Sequence, residues 1–84
     1  MDPLVALAAL IATIRDVKEG PESAFYLPFM DKISLDLFQK LLGVAVKMGL
    51  CTVKSNYVRF TTPAPGSKGA ELLAAIEAAE KKVA

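Results

Sequence analysis

Residues 34–62 read SLDLFQKLLGVAVKMGLCTVKSNYVRFTT, a helix signal that runs into a hairpin signal without a gap. Ser34 can cap the first amides of the helix, Asp36 sits where the dipole favours an anion, and Gly49 suits the left-handed residue that closes it. The helix predicted over 34–48 sets Phe38, Leu41, Leu42, Ala45 and Met48 on one side at helical spacing. Asp36, Lys40, Gly43 and Lys47 fall on another side, with Gln39 beside them. The first row is a core face, and the second faces solvent or a partner.

Two strands follow, 50–55 and 57–62, with Ser55 and Asn56 as a two-residue turn in which Asn tolerates positive φ although the usual glycine is missing. That turn fixes the register: Lys54 opposite Tyr57, Val53 opposite Val58, Thr52 opposite Arg59 and Cys51 opposite Phe60. One face then carries Cys51, Val53, Val58 and Phe60, and the other Thr52, Lys54, Tyr57 and Arg59. Cys51 points inward and reads as a small buried hydrophobe.

Working toward the N-terminus, a short strand is expected at 24–27 (Ala-Phe-Tyr-Leu), then a helix of one to two turns through Ile33, because Pro28 suits a helix start. A single helix over 22–30 kinked at Pro28 fits nearly as well. Before it, Asp2 and Pro3 start a helix whose stripe is Leu4, Leu7, Ile11 and Ile14, widened by Leu10 and Val17 and ended by Glu19, Gly20 and Pro21. Toward the C-terminus, Pro63, Ala64, Pro65 and Gly66 form a loop. Ser67 then caps an alanine-rich helix reaching Val83, with Leu72, Ile76, Ala79 and Val83 as a narrow seam that must pack either on the first helix of its own chain or on a second subunit. Met30 and Met48 read as core residues. The expectation is one mostly helical α+β domain spanning all 84 residues.

Composition removes whole classes of chemistry. The chain has no histidine and one cysteine, so a zinc cage, a Cys/His pair, a Ser/His/Asp triad and a disulfide framework are ruled out within one chain. No metal, cofactor or enzymatic activity is expected. The apolar run 3–14 is too short to cross a bilayer and lacks a cationic start, so a soluble, cytoplasmic protein is expected. The net charge of +1 hides an uneven division. Residues 1–31 carry −3, residues 32–68 carry six cations against Asp36 alone, +5, and residues 69–84 carry −1. A basic middle between acidic flanks attracts polyanions if its cations share a surface.

The order helix, short strand, short helix, longer helix, hairpin, final helix resembles a winged helix-turn-helix domain. Met48, Gly49 and Leu50 resemble the turn that ends the recognition helix in that family. Thr62 and Pro63, with the Gly-Ala-Glu-Leu-Leu run at 69–73, resemble the closing Thr-Pro-x-Gly-x-Glu-Leu-Leu of MarR-type and PadR-type regulators, with 64–68 as an insertion, a very short wing and little arginine in the helix. A second resemblance, through Phe25 and Tyr26 and the helices after them, is to small winged-helix proteins encoded near dissimilatory sulfite reductase. On the first resemblance residues 32–62 hold the recognition helix and a two-stranded wing, and 67–83 a C-terminal packing or dimerisation helix.

The resemblance implies double-stranded DNA as the partner, with helix 34–48 in the major groove and the wing along the backbone. Gln39 and Asp36 would address base edges, Lys40, Lys47, Lys54 and Arg59 would neutralise phosphates, and Tyr57 would donate or stack. Gly43 would admit the DNA backbone, or else another helix packed close. Four neutralised phosphates give a salt slope of roughly −3 to −4. A homodimer built on Leu4, Leu7, Ile11, Leu72, Ile76, Ala79 and Val83 would read a two-fold site as a transcriptional regulator. The alternative use of the same fold is a protein-interaction module without DNA binding, which an almost neutral chain also fits.

Overall fold

The computed structural model describes the backbone of residues 2–83 and the side chains of residues 2–81. Helix α1, Pro3–Val17, starts where the Asp2 carboxylate accepts the Leu4 amide at 2.7 Å, with Pro3 at the first position. It buries Ala6, Leu7, Leu10, Ile11 and Ile14. Leu4 and Val17 stay exposed, so the apolar stripe is narrower than expected. The helix ends at Lys18, whose φ of 80° turns the chain while its amide bonds the Ile14 carbonyl.

Past that expected stop the chain enters strand β1, Glu19–Pro21, where the sequence suggests only a helix breaker. Pro21 is tolerated because it closes a strand at the sheet edge, where no partner needs its amide. The strand expected at 24–27 is instead helical: α2 is Glu22–Tyr26, continued by a 3₁₀ turn at Leu27–Phe29. The alternative of a helix interrupted at Pro28 lies nearer to this. Phe25 and Phe29, four apart, are both buried, and Leu27 is 65% exposed, which is a helical pattern. Alternation would have put Phe25 and Leu27 on one face. Burial of each phenylalanine contributes about 1.5–3 kcal/mol.

Helix α3, Leu35–Lys47, has its expected caps. The Ser34 hydroxyl accepts the Leu37 amide at 3.1 Å, and Gly49 takes φ 76°. The Gly49 and Leu50 amides return to the carbonyls of Val46 and Ala45, both at 3.0 Å, which completes a Schellman ending. Phe38, Leu41, Leu42 and Ala45 are buried, with the Tyr26 ring 5.0 Å from that of Phe38. Met48 is half-buried, and Met30 is exposed rather than core.

Strands β2, Cys51–Lys54, and β3, Tyr57–Phe60, pair in the register derived from the turn. Ser55 and Asn56 both take positive φ, 52° and 62°, so the turn is of the I′ kind without a glycine. The sheet has three strands rather than two, in the order β1-β3-β2, with Glu19 opposite Arg59. Its inner face buries Cys51 and Val58 and half-buries Phe60, while Val53 near the tip is 37% exposed, beyond the core.

Helix α4, Lys68–Val83, is capped by Ser67, whose hydroxyl accepts the Ala70 amide at 3.2 Å. At Gly69 a Cβ would collide with the Met48 carbonyl, so only glycine lets α4 sit on the end of α3. Farther along, Ile76 is buried and Arg15 of α1 grips Glu80 with two hydrogen bonds of 2.6 and 2.9 Å. Of the two covers open to this seam, the chain's own first helix or a second subunit, the first is largely the one observed. Leu7, Ile11 and Ile76 belong to the chain's own core and Leu72 is half-buried. Only Leu4 and Ala79 of the expected homodimer contact are exposed, and the Val83 side chain lies outside the described residues.

Candidate functional site

The outer side of α3 carries Asp36, Gln39, Lys40, Gly43 and Lys47, all exposed. Three of them, Gln39, Gly43 and Lys47, line a groove of about 450 Å³ between α3 and β2, which Glu22, Leu42, Val46 and Val53 complete. Lys54, Tyr57 and Arg59 line a different hollow of about 320 Å³, with Thr52 and Ser55, on the outer face of the hairpin. Alternation along β2 explains the separation, since Val53 and Lys54 project from opposite faces of the sheet. Asp36 and Lys40 line neither hollow. The eight expected nucleic-acid residues thus form two groups and a surface pair rather than one site.

Their charges are also partly spent within the chain. Lys40 lies 3.5 Å from Asp36, one helical turn away, and the Arg59 Nε lies 3.0 Å from a Glu19 carboxylate oxygen across the β1–β3 pair. Such exposed pairs contribute about 0–1 kcal/mol each, so they exchange partners readily. Lys47 and Lys54 have no carboxylate within 4.0 Å among the described residues. A half-buried carboxylate, Glu22, lines the α3–β2 groove itself.

The groove floor is apolar. Leu42 is buried, and Val46 and Val53 are 39% and 37% exposed. Gly43 borders it with nothing within 4 Å of where a Cβ would stand, so no other helix packs there. Val46 and Val53 were not expected in a site. The off-stripe position of Val46 on the helix was a usable signal, but the approach of Glu22 and Val53 arises only from tertiary packing.

A second apolar hollow of about 680 Å³ lies between α1 and α4, lined chiefly by Val5, Ala8, Ala12, Ala75 and Ala79. At its rim Arg15 holds the Glu80 carboxyl below the usual range, chiefly by hydrogen bonding to it. Cys51 is 1% exposed, and burial pushes its thiol up to about 11, which suppresses the thiolate. Among the described residues no group of three or more His, Cys, Asp or Glu is placed to hold a metal ion, and no helix is long and apolar enough to cross a membrane. Compared with family models, curated proteins and solved structures, the chain matches none.

Proposed function

We propose that this chain is a winged-helix docking module whose α3–β2 groove holds a segment of another protein. The element order α1, β1, α2, α3, β2, β3, with β3 central in the sheet, supports the fold assignment. The observation that carries the functional reading is the groove, whose apolar floor is buried Leu42 flanked by solvent-exposed Val46 and Val53. Around α3 and the hairpin, Lys40 and Arg59 are paired with Asp36 and Glu19, and Lys47 shares its groove with Glu22, a poor match to a duplex backbone that needs unopposed cations on one side.

Double-stranded DNA is the second reading, favoured by Lys47 and Lys54, which keep no carboxylate partner among the described residues. In both readings the chain is a homodimer, but its contact moves to Val5, Ala75 and Ala79, exposed residues lining the α1–α4 hollow, with exposed Leu4 one position before Val5 on α1. Glu80 on that rim is already neutralised by Arg15, so a two-fold axis there would not confront bare carboxylates.

An anisotropy titration against mixed-sequence duplex DNA at about 50 and 200 mM salt, beside a light-scattering mass, separates the two. Docking predicts no saturable DNA binding at either salt, with a mass of two chains. Tight binding that falls with a log–log slope of about −3 to −4 would overturn docking in favour of DNA.

A further inference from the structure

Gly43 has no explanation inside the chain. It stands in the interior of α3, where glycine costs about 1 kcal/mol of helix propensity relative to alanine. Yet a Cβ there would meet no atom within 4 Å. What the missing side chain leaves open is the wall of the groove that looks across to Val53.

The opposite wall is formed by Val53 of β2, a strand at the edge of the sheet. The Phe60 amide bonds the Lys18 carbonyl and the Asn56 carbonyl accepts the Glu22 amide, so these residues of β3 and its turn point toward β1. The Thr61 amide bonds Leu50, so the alternate residues point toward β2. In the observed register Thr52 and Lys54 therefore bond β3, while Cys51 and Val53 direct their amides and carbonyls to the free edge. Cys51 is covered, whereas Val53 is 37% exposed. A donor and an acceptor thus stand free beside an apolar groove, the arrangement to which an extended peptide adds as a strand.

We propose that the docked segment is extended, pairs antiparallel with β2 at Val53, and sets one aliphatic side chain beside Gly43 with a carboxylate residue on either side of it. This rests on the docking reading above. The aliphatic residue opposite Val53 shares its face and meets Leu42 and Val46. Its neighbours project to the other face, where Lys54 has no carboxylate partner among the described residues. Glu22 on the groove repels acids from the aliphatic residue's own face, which confines them to the alternate positions.

The test is a titration of the full chain, followed by backbone amide shifts, with the acetylated and amidated peptide Ser-Thr-Glu-Val-Glu-Thr-Ser. Saturable shifts at Gly43, Lys47 and Val53 with a Kd of about 1 mM or tighter, and slowed exchange of the Val53 amide, are expected. N-methylation of the peptide valine, and separately Gly43→Leu, should each weaken binding by about tenfold or more. Gly43→Leu puts a better helix former at an open position, so it folds at least as well as the wild type. No shift up to about 10 mM, or an unchanged Kd for either modification, overturns the inference. If an amphipathic helical peptide moves those amides while the extended one does not, strand addition fails and the docking reading stands. If duplex DNA moves them with a steep salt dependence, both fail.

Discussion

One chemical change, glycine to alanine, should have opposite signs at two helical positions of this molecule. At Gly69 the added methyl meets the Met48 carbonyl oxygen, a backbone atom on the end of α3 that the Gly49 and Leu50 amides hold in place by their bonds to the preceding turn. Overpacking against atoms that cannot swing aside costs about 1–3 kcal/mol, and the fixed backbone puts this site toward the upper end. Against that stands a helix-propensity gain of up to about 1 kcal/mol, reduced because Gly69 is the second residue of α4. The collision wins, leaving a net loss of about 2 kcal/mol, or roughly 8–16 °C in Tm for a domain of this size. Gly43→Ala, in open space, keeps the gain alone and should raise Tm by about 4–8 °C. Thermal and urea melts followed by circular dichroism measure both, with an unchanged m-value showing that the same unit unfolds. A Gly69→Ala variant as stable as the wild type would refute the seating of α4 on the end of α3.

Two further outcomes follow from local geometry. The I′ turn places Ser55 and Asn56 at positive φ, so Ser55→Asn with Asn56→Gly should stabilise the chain by about 1 kcal/mol in the same melts; no gain would mean the turn is not strained. Arg15 lowers the Glu80 pKa in the folded chain, so its share of stability is full above the unfolded carboxylate value near 4.3 and is lost as pH falls through the lower folded value. The Tm difference between wild type and Glu80→Gln should therefore be constant at neutral pH and shrink on acidification; a difference independent of pH would remove the clasp from the account.

The parts of the fold legible from sequence are those set by neighbours. The caps of α3 and the register of the hairpin depend on residues within a few positions, Ser34 with Leu37, Gly49 with Val46, and Lys54 with Tyr57. Strand β1 was hidden because its partner, Arg59, lies 40 residues from Glu19 and because Gly20 and Pro21 carry the local signal of a break. The aromatic run at 24–27 suggests a strand by propensity, and it is overridden because Phe25 and Phe29 must reach the core together. For the site, the outward side of α3 could be read from periodicity. The sorting of cations into two hollows, and the carboxylates brought to Lys40 and Arg59, depend on chain crossings that no local pattern encodes.

The end of α3 holds two neighbours through three consecutive carbonyls: Met48 receives the bare face of Gly69, Gly49 accepts the Thr61 hydroxyl at 2.7 Å, and Leu50 accepts the Thr61 amide at 3.0 Å. Hairpin and final helix are thereby bolted to one short segment, and α3 cannot pivot without dragging both. The cleft beside Gly43 is consequently preorganised. The protein has little ordering entropy to lose when a ligand enters, so affinity there should respond to side-chain fit rather than to adaptation of the cleft.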